Sequence, residues 1–508
     1  MKSLYLFFSL IFLSVGLNAQ SFEDGWRYQK DNLTGTARFT GMSGAFSSLG
    51  GDLSAISLNP AGATTFTTNR ITGTLSFYNT SNKANYFDQY KQADYTSFDD
   101  RFIGMDQIGG VWVFQSDVSD WNKIALAINF NKDADYGDNI KIAGINQAGN
   151  SATTYFVNNA NGIPLADLKM VDDYTADYQW LGENYDYGAQ QAYLAYQAYV
   201  INPVDPSDDN NTQYVANAAY NKVRHFNKIG SAGDKTHVDF SIAGTYLKKL
   251  QLGFSFTAYS IDYLERNSIE EDNFNATSDL QYLKLQNTLR VEGSGIGIKF
   301  GAIYKIAPKT KLSLAYHSPE WLEINEYMKQ AIHTEMVNGD VFDIKPDVEN
   351  EFAPYKIITP SKFIMGASTV INKKVVLSVD YTYQNMSKLH FKEKIADADT
   401  SYFDSLNDDI AASMQPVHKL NAGGEIKLDN VYLRAGGFMS TSPVKNNKDL
   451  YAYQGYSAGL GYNFGSFVLD FAFLHRSEQI SKNVLTLPDN AIINTNVNKY
   501  LLGIRYNF

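Results

Sequence analysis

Among the side chains able to do chemistry, the seven histidines stand far apart, at His225, His237, His317, His333, His390, His418 and His475. None forms a His-Glu-x-x-His motif and none pairs at i, i+4, the spacings that hold zinc. "DPSDDNNTQY" offers Asp205, Asp208 and Asp209 to a calcium ion, but it lacks the Gly and distal Glu of a defined calcium loop and reads as a solvated acidic loop. Without a single cysteine the chain can form no disulfide and carry no thiol nucleophile or lipidated N-terminus. The glycine-rich "GMSGAFSSLGGD" has no Gly-Lys-Ser/Thr ending and no buried strand before it, so it is no phosphate cradle. Nothing in these patterns asks for a metal, a cofactor or a catalytic constellation.

What remains is apolar binding. In "AQQAYLAYQAYVINP", Tyr193, Tyr196 and Val200 share a helical face beside Ala192 and Tyr199, and Pro203 closes the helix. In "SPEWLEINEYMKQAIHTEM", Trp321, Ile324, Met328 and Ile332 are spaced in the same way. Such helices either form an apolar groove where a hydrophobic molecule lands or pack on one another as a cap; the spacing alone leaves both open.

The elements that must position these segments are strands. In "RITGTLSFY", Ile71, Gly73, Leu75 and Phe77 fall on one face and Thr72, Thr74 and Ser76 on the other. The same alternation recurs along the chain and predicts 14 strands, beginning near residues 71, 108, 123, 237, 251, 289, 310, 360, 374, 417, 430, 454, 467 and 497. A soluble β-sandwich alternates too. Here, however, the non-apolar face is built of Gly, Ala, Ser and Thr with scattered charges such as Asp239, Lys299, Asp380, Arg434, Asp470 and Arg505, which suits a crowded lumen better than open water. Connections alternate between short ones, at Asn372-Lys373-Lys374 and Gly465-Ser466, and long ones near 79–107, 132–236, 318–358 and 386–416. That asymmetry is the layout of a transmembrane antiparallel barrel with periplasmic short turns, closed so that no edge is left unpaired in lipid. The last strand alternates through Tyr500, Leu502, Ile504 and Tyr506 to a terminal Phe508, the kind of signal read by a barrel-assembly machinery.

Ahead of the first strand, Lys2, the uncharged Leu4–Leu17 and Leu17-Asn18-Ala19 read as a signal peptide over 1–19, too short to span a membrane as a helix. Residues 20–69 then fall on the periplasmic side or in the lumen. Met42, Phe46 and Leu49 predict one slim helix; Asp52 caps a second, "LSAISL", which Pro60 stops at Asn59. The formal charge of −11 gives no basic footprint for nucleic acid.

"GTARFTGMSGAFSSLGGDLSAISLNPAGATTF", the strands that follow and the terminal Phe together resemble the FadL/TodX family of outer-membrane channels. Asn59, Pro60, Ala61 and Gly62 are similar to that family's hatch motif. The resemblance implies an all-β, 14-stranded outer-membrane barrel over 70–508, with a large insertion at 132–236 and an N-terminal hatch over 20–69. It further implies passive transport of hydrophobic compounds, long-chain fatty acids first, released sideways through a kinked strand, and no enzymatic activity. Phe46 and Leu49 of the hatch join Tyr193, Tyr196, Val200, Trp321, Ile324 and Met328 as candidate substrate contacts. The expected surroundings are outer-membrane lipid and lipopolysaccharide, with the protein a monomer. A non-transporting surface or adhesion protein, or a general porin, is the alternative. A barrel lipase would need a Ser/His pair at one level, which nothing here suggests.

Overall fold

The computed structural model describes residues 22–29, 32–86, 96–146, 149–170, 173–395, 400–484 and 490–508; the expected signal peptide lies outside them. The barrel strands are β1 (Arg70–Asn85), β2 (Thr96–Gln115), β3 (Trp121–Asp135), β4 (Arg224–Tyr246), β5 (Leu250–Asp272), β6 (Leu280–Ala307) and β7 (Thr310–His317). Next come β8 (Lys362–Ile371), β9 (Val375–Asn385), β10 (Pro416–Leu428), β11 (Val431–Ser440), β12 (Tyr453–Asn463), β13 (Phe467–Asn483) and β14 (Asn490–Asn507). Each pairs antiparallel with its neighbour, and β1 closes on β14 from Arg70↔Asn507 to Asn85↔Ile492, so the sheet is a closed barrel of 14 strands.

The polarity is that of an outer-membrane barrel. Ile71, Leu75, Leu126, Ile242, Leu314, Leu377, Val379, Leu460 and Leu502 project outward and are exposed, while their alternates Thr72, Ser241, Ser378 and Ser457 are buried in the lumen. Tyr462, Phe464, Phe467, Tyr506 and Phe508 gather at the short-turn end, where amphipathic rings anchor a barrel in the interface. The short turns need a left-handed backbone, taken by Leu247 and Lys248 (φ 48° and 58°), Asn372 and Lys373 (φ 50° and 58°) and Gly465 (φ 101°).

The strands run further outward than their alternation reveals. β1 continues to Asn85 and β2 begins at Thr96, inside the stretch expected as a loop. Likewise β3 runs on to Asp135, a strand Asp138–Ile145 follows, and β4 starts at Arg224. Above the lipid both faces of a strand meet polar surroundings, so the two-residue apolar signal fades although the ladder persists. "SPEWLEINEYMKQAIHTEM" is not a helix: Trp321–Met336 is a strand that prolongs β7 beyond Ser318-Pro319 and pairs with β6. Its buried residues Leu322, Ile324, Glu326 and Gln330 are two or four apart, a period that the four chosen apolar residues had masked.

The long insertion is a small helical domain outside the membrane: α4 (Ala152–Ala160), α5 (Leu165–Leu168), α6 (Tyr174–Asn184) and α7 (Tyr187–Gln197). Numbered in chain order, α1 (Phe22–Gln29), α2 (Ala37–Gly41) and α3 (Leu53–Leu58) precede the barrel, and α8 (Ser401–Ser413) stands in a later loop.

Candidate functional site

The N-terminal segment lies inside the barrel and crosses it lengthwise. α1 packs at the outer end, where Trp26 and Tyr28 join Tyr263, Tyr355, Leu389, Phe391 and Tyr451. α2 and α3 sit near the short-turn end. Met42–Leu49 forms turns rather than the expected helix, because Ser43 and Gly44 are left-handed (φ 53° and 73°). α3 begins as expected, with Asp52 accepting from Ser54 N at 3.0 Å, and ends at Asn59.

Asn59 is used at every polar atom of its side chain. Its Nδ2 donates to Ser47 O at 2.9 Å and to Ala302 O of β6 at 3.4 Å, and its Oδ1 accepts from Ala61 N at 3.1 Å. It thereby ends α3 and caps the 3-10 turn Pro60–Thr65. Barrel glycines are notched to receive this element: a Cβ on Gly301 would overlap Asn59 Oδ1, and one on Gly253 would overlap the Pro60-Ala61 backbone. Gly366 makes room for Ser47, and Gly423 and Gly436 for Met42. An isolated glycine in a strand signals such close backbone approach, and that is the signal by which sequence reasoning had access to these positions and passed over them.

Charge fixes the inner end. Arg38 of α2 forks onto Glu425 of β10 with two bonds of 2.9 Å. Arg434 of β11 reaches Glu425 at 2.6 Å and Asp470 of β13 at 2.8 Å, and Arg505 of β14 reaches Asp470 at 2.5 Å. Arg38 and Arg505 are thus bidentate on Glu425 and Asp470, and Arg434 bridges the two carboxylates, all away from water. Asp380 accepts from Ser47 N at 2.7 Å and Ser47 Oγ at 2.6 Å. Side-chain N–H donors also meet carbonyls of the N-terminal segment: Lys311 donates to Leu49 O, His317 to Leu58 O and Lys123 to Phe66 O.

Two lumenal cavities lie outward of this floor and share the segment Asn32-Leu33-Thr34 as a wall. One, of about 170 Å³, is mixed, with Lys299, His317, Glu320, Lys362 and Asp380 set against Phe39, Leu58, Ile364 and Phe438. The other, of about 220 Å³, sets Trp26, Tyr136, Ile140, Tyr263 and Leu474 against Asp135, Arg476 and Lys499.

Beside the larger cavity the wall is unzipped. The β2–β3 ladder runs from Gln115↔Lys123 to Gln107↔Asn131 and stops there among the described residues, although β2 stays paired to β1 as far as Thr96 and β3 to β4 as far as Asp135. Residue Asp106 is skipped in the β1–β2 register and Asp133 in the β3–β4 register, and both bulges mark the split. The seam opens within the lipid band, since Ile103 and Met105 beside it are 81% and 45% exposed. On the β3 edge, backbone groups that β2 does not reach are met from the lumen: Asn32 N donates to Asp133 O at 3.0 Å and the Thr34 hydroxyl to Lys132 O.

None of the eight candidate substrate contacts lines either lumenal cavity. Phe46 is buried against Phe39 and under the Arg38 guanidinium; Leu49 is half-buried beside it. Tyr193 and Val200 are buried in the core of the helical domain with Phe156, Leu181 and Leu194, and Tyr196 packs at its margin. α7 stops at Gln197 because Tyr199 is left-handed (φ 55°), which puts Val200 beyond the helix, and Pro203 ends a short strand instead. The helices of this domain pack on one another, the second of the two arrangements their sequence allowed. Trp321 points outward, Ile324 is buried and Met328 is half-buried on the strand that replaces the expected helix.

A family model described as BamG matches residues 208–473, more than half of the chain. The chain belongs to the BamG family. No curated protein matches the sequence. Among solved structures, a Pseudomonas aeruginosa FadL homologue is 13% identical, with 94% of this chain and 99% of that one covered at a TM-score of 0.54. The Ralstonia pickettii toluene transporter TbuX and the CymD monoaromatic hydrocarbon channel are each 13% identical, with the same coverage and a TM-score of 0.50. This member of the BamG family therefore has the FadL/TodX fold expected from its N-terminal motif, and its barrel belongs in the outer membrane.

Proposed function

We infer that this BamG-family protein conducts hydrophobic compounds through the outer membrane, with long-chain fatty acids the first substrates to test, residues 20–69 acting as a plug and the β2–β3 seam as the exit into lipid. The seam carries this reading: an interrupted ladder inside the apolar band, with a partly apolar cavity of about 220 Å³ that Ala134 and Asp135 line from the seam end of β3. An unpaired edge in hydrocarbon is costly unless it borders a cavity, so a wall split at this depth calls for a use. Passage by this route bypasses the ion-paired floor, which offers a hydrophobic molecule nothing. Two small cavities in series also suit transport, because burying a whole acyl chain at about 0.8 kcal/mol per methylene would hold it too tightly. TbuX, named a toluene transporter, and CymD, named a monoaromatic hydrocarbon channel, lend the reading support by fold. In it the protein works as a monomer, its outer rim among lipopolysaccharide.

The second reading is a non-transporting surface protein. The packed floor and the separate helical domain, with a core of its own, favour it. Uptake of labelled oleate and of toluene by cells with and without the protein decides between them. Faster uptake of either with the protein supports conduction; equal rates for both overturn it.

A further inference from the structure

The seam poses a question of closure that its backbone does not answer. Among the described residues the outer half of β2 pairs only with β1, and the facing edge of β3 is bonded to Asn32 and Thr34 in the lumen. Among the described side chains, the charged groups on the two sides are also satisfied separately. On β2, Asp106 accepts from Ser76 of β1 at 2.6 Å and forms an ion pair with Lys499 of β14 at 2.5 Å. On β3, Lys132 pairs with Asp135 of its own strand at 2.8 Å and approaches Asp234 of β4 at 3.9 Å. Beyond the last rung, where Gln107 Nε2 donates to Asn129 Oδ1 at 2.7 Å, no ion pair crosses from β2 to β3 among the described side chains. One side chain does cross. The ammonium of Lys132, itself 8% exposed, lies where a side chain at Gly104 would begin, with Nζ 2.7 Å and Cε 3.6 Å from the position of a Cβ there. Gly104 supplies a notch, and Lys132 fills it.

We propose that Lys132 is the bolt of the seam: a positioning residue whose four-carbon stem and ammonium, seated over Gly104, shut the larger cavity off from the membrane, and whose withdrawal opens it. The proposal rests on the transport reading and names the side chain on which passage depends. The bolt is physically apt because withdrawing it breaks no pairing across the seam among the described residues. The ammonium keeps Asp135 on its own strand as it moves, and the flexible lysine stem swings without any change in the ladder. A larger residue at position 104 would leave the bolt no seat.

The chain's lack of cysteine makes the test clean. In Gly104→Cys/Lys132→Cys, a bis-methanethiosulfonate with a short aliphatic spacer replaces the bolt by a covalent one that reductant removes. Uptake of labelled oleate or toluene is expected to fall to the level of cells lacking the protein when the pair is cross-linked, and to return on reduction. Equal uptake in the two states, or failure of the pair to cross-link in a barrel that still resists denaturation by detergent, overturns the proposal. In parallel, Lys132→Ala is expected to take up substrate faster than wild type and Lys132→Arg to restore the wild-type rate; a Lys132→Ala rate equal to wild type counts against the bolt. Wild-type uptake no faster than in cells lacking the protein is a different failure: it removes the transport reading, and the bolt with it.

Discussion

The N-terminal segment in the lumen and the outer helical domain are two parts of one chain, held by opposite means. The domain is cohered by apolar side chains: Phe156, Leu168, Leu181, Tyr193 and Leu194 are all fully or almost fully buried in one cluster. The N-terminal segment meets the barrel through Arg38, Ser43, Ser47, Asn59, two carboxylates and a row of glycines. The cause is what lies on the far side of each sheet. A barrel in lipid spends its large apolar residues outward, so its inner face is left polar and small, and whatever docks there binds by hydrogen bonds and ion pairs. Outside the membrane water lies beyond the surface, and the ordinary apolar core returns. A polar interface depends on each partner being present, whereas an apolar one degrades with volume lost.

The sharpest break of this contrast is Asp470→Asn. It leaves Arg434 and Arg505 facing a neutral amide, and removing one partner from a buried ion pair costs about 3–5 kcal/mol. The barrel wall should survive because its ladder is untouched. Ion conductance in planar bilayers should rise as the floor loosens, and a conductance equal to wild type would show that the network does not hold the plug. Phe156→Ala is the counterpart in the outer domain, at about 3–5 kcal/mol for an aromatic deleted from a packed core. It should expose the domain to protease while conductance stays put, and joint loss of both would deny that the two regions are held independently.

Much of this was legible in the residues and some was not, for reasons that are physical. Leu377 outward and Ser378 inward follow from alternation, because lipid enforces a two-residue period wherever it touches a strand. The capping of α3 by Asp52 and its end at Asn59 are local, so they read directly. Asn79–Asn85 and Trp321–Met336 did not read as strands, since above the lipid nothing imposes the period; the second even carried a false helical one. The plug's partners were hidden for another reason. Gly253 and Gly301 lack side chains because Asn59-Pro60-Ala61 comes against them from 192 residues away or more, and no local pattern reports what approaches from across a lumen. The seam is harder still, being a missing ladder between two ordinary strands.

A smaller effect sharpens the glycine side of the comparison. Gly301→Ala should cost about 1–3 kcal/mol, the range for overpacking a tight site, because the new Cβ overlaps Asn59 Oδ1. Gly73→Ala, with nothing within 4 Å of its added Cβ, is the matched control on β1. Urea unfolding in detergent should separate the two, and equal midpoints would mean that the Asn59 element does not seat against β6 in solution.

The smallest effect concerns an ion pair that water reaches, set against the dry ones at the floor. On the outer strands His333 Nδ1 lies 2.9 Å from Asp343 Oδ1, and Lys345 is 3.3 Å from the same carboxylate. His333 first, then Lys345, holds the Asp343 carboxyl below its usual range by hydrogen bonding to the charged form. Since the folded value is the lower one, the pairing stabilises fully above the unfolded value near about 3.9 and is lost as pH falls through the folded value. The group is almost wholly in solvent, so the contribution stays within the roughly 0–1 kcal/mol of exposed pairs. Thermal unfolding of the outer domain, followed by the fluorescence of Trp180 on α6, should therefore show Asp343→Asn melting slightly below wild type at pH 6 and level with it once the pH is well below that of the free carboxyl. A gap that widens on acidification would reverse the sign. A gap as large as that of Asp470→Asn would mean that exposure to water does not separate this pair from the buried ones.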